Sequence, residues 1–190
     1  MWTLDRLDRL VVGAVIVFGL SVLTNAQAPA RGSVAGRAAA PASAARVESN
    51  LAQLMRGIVY PSSNVVFAAQ GDMNEFKPAA DPSMSPNLLT SSYGGWQAVE
   101  NAALALSESA NLLVLPGRMC SNGKPVPSQR ADWQKFTNGL RDAGRAAFKA
   151  AQSKNQDTMV DASGTVAEAC EACHAVYRDR PGGNQNRCTP

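Results

Sequence analysis

Cys170-Glu171-Ala172-Cys173-His174 gathers two of the chain's four cysteines and its single histidine within one short run. On a helix, positions i, i+3 and i+4 share a face, so both thiols and the imidazole project from one turn. A C-x-x-C-H run is the pattern for attaching a c-type haem, in which each thiol adds to a vinyl group and the next imidazole turns towards the iron. Two other chemistries also use paired cysteines. Zinc could take Cys170, Cys173, His174 and Cys188, although zinc knuckles usually sit on turns and these cysteines lie on the inward stripe of a long segment. A redox dithiol calls for a strand before the pair and a helix starting at it, and neither context is present. One histidine excludes multi-histidine metal centres and a second imidazole on the iron.

The elements that must position this cluster read as helices. Beyond Arg46, four segments carry apolar residues at alternating steps of three and four. The first runs from Glu48 to about Gln70 and aligns Leu51, Leu54, Ile58, Val65 and Ala69. Pro61 interrupts it, pressing on the carbonyl of Gly57, so a kink or a restart capped by Ser62 or Ser63 is expected. The second aligns Trp96, Val99, Ala103, Leu106, Ala110 and Leu113 and stops at Pro116-Gly117. The third opens after Pro127 with Ser128 as its N-cap and aligns Trp133, Phe136, Leu140, Ala143, Ala147 and Ala151. The fourth, from Asp157 to about Arg180, aligns Met159, Ala162, Val166, Ala169, Cys173 and Val176, with Cys170 and Tyr177 widening the stripe. Between the first two lies a stretch holding Pro78, Pro82 and Pro86, expected to be an irregular excursion at one end. The fold class expected is all-α, an up-down-up-down four-helix bundle over residues 47–190 with covalently bound haem near the C-terminus of the last helix. The 6% aromatic content and abundant alanine agree with closely packed helices, and 190 residues suffice for one domain.

In such a bundle the start of the first helix and the end of the fourth share one end. His174 lies roughly 9 Å from the end of its helix and Met55 roughly 10 Å into the first, so their depths match. Of the six methionines, Met1 is in the N-terminal segment, Met73 and Met84 are in the excursion, and Met159 is a helix length away from His174. Met119 follows the second helix at the correct end, but on a loop, a less rigid support than a helix. Met55 is the candidate distal ligand; the competing role is core packing, which methionine fills readily. Cys120 and Cys188 fall at the same end of the bundle, where a disulfide and two free thiols both fit the sequence.

The run Cys170-Glu-Ala-Cys-His-Ala-Val-Tyr177-Arg178, with Trp133 and Phe136 opening the third helix, resembles the class II cytochromes c, the cytochrome c prime and c-556 group, over about residues 47–180. The resemblance implies one covalent haem c, with Cys170 and Cys173 as thioether residues and His174 as the proximal ligand. Leu51 stands where that family usually carries an arginine, four residues before the distal position, which leaves Arg56 and Arg178 as candidate propionate contacts. The resemblance also implies dimerisation through the first two helices. Two functions follow as expectations. With Met55 on the iron the protein is an electron carrier between exported or membrane-bound redox partners, because a methionine opposite histidine saturates the iron and raises its potential. With an open distal site it binds nitric oxide or carbon monoxide. An enzyme such as a peroxidase would need a distal acid-base group, and beyond the one histidine only Glu48 or Arg56 is at hand, so no enzyme is expected.

Arg6 and Arg9 precede an apolar run from Leu10 to Leu23 and a small-residue site, Ala26-x-Ala28. Residues 1–28 therefore read as an export signal for the periplasm, with an uncleaved membrane anchor as the alternative. Residues 29–46, rich in Ala, Pro and Gly, read as a flexible linker. From residue 47 onward 13 Lys and Arg balance 13 Asp and Glu. A neutral domain lacks the basic face that phosphate binding needs, so nucleic acid is excluded as a partner.

Overall fold

The computed structural model describes residues 46–190; residues 1–28, expected to be an export signal, and all but the last residue of the linker expected at 29–46 lie outside the described residues. Four helices pack together: α1 at 51–68, α2 Trp96–Leu113, α3 Ala131–Ser153 and α4 Gln156–Tyr177. No strand occurs among the described residues beyond an isolated bridge between Met119 and Pro125. The most extensive packing is of α2 on α3 and of α3 on α4.

Three of the four helix starts have a local side-chain cause. Asn50 accepts from the Gln53 N–H while the Gln53 side chain accepts from the Asn50 N–H, both at 2.9 Å, a reciprocal capping box for α1. Asn155 caps α4 by accepting from the Thr158 N–H at 2.9 Å. The α3 cap differs from the sequence expectation. The helix begins at Ala131, and Ser128 is buried before it, its carbonyl accepting from the Gln134 side chain. Its entry is secured by Asp132, whose carboxylate accepts from the Trp133 N–H at 2.9 Å.

The Pro61 expectation is also corrected. The helix does not restart at Ser62-Ser63, whose hydroxyls donate back to the carbonyls of Ile58 and Tyr60. Instead α1 runs as Leu51–Leu54, a π-helical segment Met55–Val59, and Tyr60–Ala68, with Pro61 in the first turn of the last piece. The Tyr60 N–H reaches the Met55 carbonyl, one residue further back than in an α-helix. The wider turn inserts one residue ahead of the proline. That insertion rotates the apolar stripe, so Val59 is buried and Ile58, expected inside, is exposed. The fourth helix stops at Tyr177, short of Arg180, because the Arg178 and Asp179 N–H groups converge on the single carbonyl of His174.

The excursion between α1 and α2 is irregular, as expected, and ordered by three short 3₁₀ turns capped by Asp72, Asp81 and Asn87. Met73 and Leu89 anchor it in the core. The buried guanidinium of Arg118 donates to the Leu112 carbonyl at the end of α2 and to the Ser49 carbonyl just before α1, and the Leu51 N–H donates to the Met119 carbonyl at 2.8 Å. These bonds hold the start of α1 against the end of α2.

Candidate cofactor site

The packing of α1 on α4 runs through Tyr60–Ala68, where the Ser163 hydroxyl donates to the Val66 carbonyl at 3.2 Å. Nearer the start of α1 a cleft of about 430 Å³ separates the two helices. Its α4 wall carries Cys170, Cys173 and His174, all half-buried, and both thiols are free. Its α1 wall carries Met55, Val59 and Phe67. A second void of about 40 Å³ lies behind it, lined by Met55, Val59, Leu113 and Leu140 together with the two thiol residues and His174. Met55 thus borders both spaces, in the π-helical segment, a helix irregularity that recurs at functional sites.

Tyr177 and Trp133 brace the α4 wall. Tyr177 is buried, with its ring edge-on to Trp133 at 4.9 Å and to Phe136 at 6.2 Å. The Trp133 indole N–H donates to the Leu113 carbonyl at 3.0 Å, tying the starts of α3 and its stacked partner to the end of α2. Arg130 donates to the Tyr177 hydroxyl at 3.3 Å and to Asp132 at 3.0 Å. Such edge-to-face packing with satisfied polar ends fixes the helix turn that carries the thiols.

Burial pushes the Cys173 thiol up to about 11, helped by the neighbouring Cys170, and raises Cys170 for the same first reason. Burial also lowers His174, and the Arg178 charge adds to it. At neutral pH the site therefore presents two protonated thiols and a neutral imidazole with a free lone pair, the form that binds a metal ion.

Cys120 and Cys188 form a disulfide, with Cα atoms 6.5 Å apart, and both line the cleft. This settles the alternatives left open by the sequence and removes Cys188 from any zinc site. Among the described residues no group of three or more His, Cys, Asp and Glu side chains is arranged to hold a metal ion by itself. The donor set here is instead two thiols and one imidazole facing a thioether across an apolar cleft, which fits a covalently attached macrocycle with a central metal.

The other methionines among the described residues are elsewhere. Met73 and Met159 are core residues, Met84 and Met119 are exposed, and none of them lines the cleft. Arg56 and Arg178 do line it, both exposed. The Arg178 guanidinium is already engaged by Asp179 through two bonds of 2.6 and 2.8 Å. Glu48 is exposed beside Arg46, away from the cleft. Sequence reasoning missed Arg187, which also lines the cleft; its signal was its place beside a cysteine.

Comparison of the chain with family models, with curated proteins and with solved structures finds no match.

Proposed function

We propose that the chain is an exported c-type cytochrome, an up-down-up-down four-helix bundle of class II resemblance that carries single electrons between redox partners in the periplasm or at the membrane. The observation that carries this reading is the convergence of Met55, Cys170, Cys173 and His174 on one apolar cleft. When bound, haem c supplies one-electron chemistry at its iron. The residues supply the rest. Cys170 and Cys173 would hold the group through two thioethers, each thiol adding its sulfur and its hydrogen across a vinyl group, which would consume no oxidant. Neutral His174 would offer a ring nitrogen and Met55 its sulfur to the iron, while Val59 and Phe67 would keep water from it. With His174 and Met55 both bound, the metal would have no position left for a substrate, which is why we read the protein as a carrier and not an enzyme. A second reading, binding of nitric oxide or carbon monoxide at an open position, has in its favour the apolar void beside Met55.

Absorption spectra of ferric and ferrous full-length protein, repeated under carbon monoxide, separate these readings. The expected result is a low-spin ferric spectrum with a sulfur-to-iron charge-transfer band that carbon monoxide leaves unchanged, converted by Met55→Ala to one that responds to carbon monoxide. A high-spin parent that responds at once makes the protein a gas binder and Met55 a packing residue. Covalent haem that persists in a Cys170→Ala, Cys173→Ala double variant, or that never forms in the parent, sinks both.

A further inference from the structure

The stretch after α4 is held more firmly than its composition requires. Cys188 is joined to Cys120, and the Cys188 N–H donates to the Tyr177 carbonyl at 2.9 Å. Asn122 donates to the carbonyls of Asn184 and Arg187 at 2.9 and 3.0 Å, and the Lys124 ammonium donates to the Gln185 carbonyl at 2.8 Å. What these bonds deliver to the cleft is the side chain of Arg187. Its Nε is buried and has no hydrogen-bond partner. A guanidinium has donors and no acceptor capacity, and a buried donor without a partner costs free energy, so an unpaired Nε at the wall of a cleft marks the place of a missing acceptor. The titratable groups around this point are Arg56 from α1, His174 from α4, and Arg178 and Asp179 just after it. The one carboxylate among them, Asp179, is committed to Arg178. No protein acceptor therefore serves Nε, and a carboxylate brought by a ligand, which takes two parallel N–H bonds from a guanidinium, is a chemical match.

We propose that Arg187 is the positioning residue for a carboxylate of the molecule that fills the cleft, and that the Cys120–Cys188 bond exists to hold it there. Resting on the function proposed above, that carboxylate is a haem propionate, and the tail after α4 is a built part of the cofactor site. The test uses full-length holoprotein of the parent, Arg187→Gln and Arg187→Lys, in each of which covalent haem is first verified by its retention under denaturing conditions. The reduction potential and the Soret band are then followed against pH. A carboxylate beside a guanidinium ionises at lower pH, so R187Q moves the acidic inflection upward by about one pH unit, or about tenfold in proton affinity. R187K keeps the charge and loses the planar fork, so its shift is smaller and in the same direction. Curves for R187Q that superimpose on the parent, with covalent haem present in both, overturn this inference and leave the proposed function standing. A parent without covalent haem overturns both. If R187Q does not accumulate as folded holoprotein, R187K decides alone: a displaced inflection upholds the assignment and an unmoved one ends it.

Discussion

The α2–α3 interface and the α1–α4 interface both bury apolar residues, and they end in opposite states. Where α2 meets α3 the backbones touch: a Cβ on Gly144 would stand 2.7 Å from the Ser107 nitrogen and 2.9 Å from the Ala103 carbonyl oxygen. Ala103, Leu106 and Ala147 are completely buried there. At the other interface the walls stay apart, and Met55, Cys170, Cys173 and His174 remain half-buried around the cleft. Hydrophobicity does not separate the two. Absent side chains let helices close on one another, whereas an opening persists only where something rigid props it. Here the props are the inserted π turn in α1, the Trp133–Tyr177 ring pair under α4, and the disulfide beside them.

The largest test of that contrast removes a prop. Serine at both Cys120 and Cys188 opens a cross-link between positions 68 residues apart, and chain-entropy arguments put the loss of stability at about 4 kcal/mol. Denaturant titration measures it; a loss below about 1 kcal/mol means the open end is held by its aromatic packing and not by the covalent bond. At the closed interface, Gly144→Ala forces α2 and α3 apart and costs about 1–3 kcal/mol. Gly139→Ala, on the exposed face of the same helix with nothing near its added methyl group, stabilises by a few tenths to about 1 kcal/mol. Equal effects at the two glycines would show that helix propensity, and not close approach, governs α3. The smallest effect is acid dependence at the base of the props. The Arg130 hydrogen bond holds the Asp132 carboxyl down at about 2, against an ordinary value of 3.8. A lowered folded-state value stabilises above the unfolded one and is lost as pH falls, so Asp132 contributes fully at neutral pH and progressively less from about pH 5 down to about pH 2. Asp132→Asn flattens that limb of the stability curve; parallel curves for the parent and the variant would remove Asp132 from the brace.

How much of this was legible in the sequence differs between the same two regions. The stripes of α2 and α3 were read directly, because regular helices keep their period and small residues at the seam become the buried ones: Val99, Ala103, Leu106 and Ala110, then Leu140, Ala143, Ala147 and Ala151. Met159, Ala162 and Val166 likewise fall inside, but further along α4 the stripe runs out to the half-buried Ala169 and Cys173, where it meets the cleft in place of another helix. Along α1 the period failed at one residue. Nothing in the identities of Ile58 and Val59 tells which is inside, since the choice depends on where the backbone absorbs the missing N–H of Pro61. Ser128 failed for a related reason: its type favours a cap, yet tertiary packing draws it inward and the helix starts later. Among site residues, the spacing alone put Cys170, Cys173 and His174 on one turn, and depth matching found Met55 across from them. Arg187 was hidden because it reaches the cleft by a cross-link and loop bonds, which have no periodicity to read.

The link between α3 and α4 bears on the order in which these walls come into being. Only Lys154 and Asn155 separate the two helices, and Lys154 makes the turn in the left-handed region, with φ at 53°. Closing so short a loop costs little entropy and takes little time, whereas α1 must find α4 across most of the described chain. By loop closure alone the hairpin of α3 and α4 is expected to form first and α1 to join later, an order that pulsed hydrogen exchange would read as earlier protection in α3 and α4 than in α1. In that order the turn carrying the two thiols would be accessible before the α1 wall of the cleft is in place.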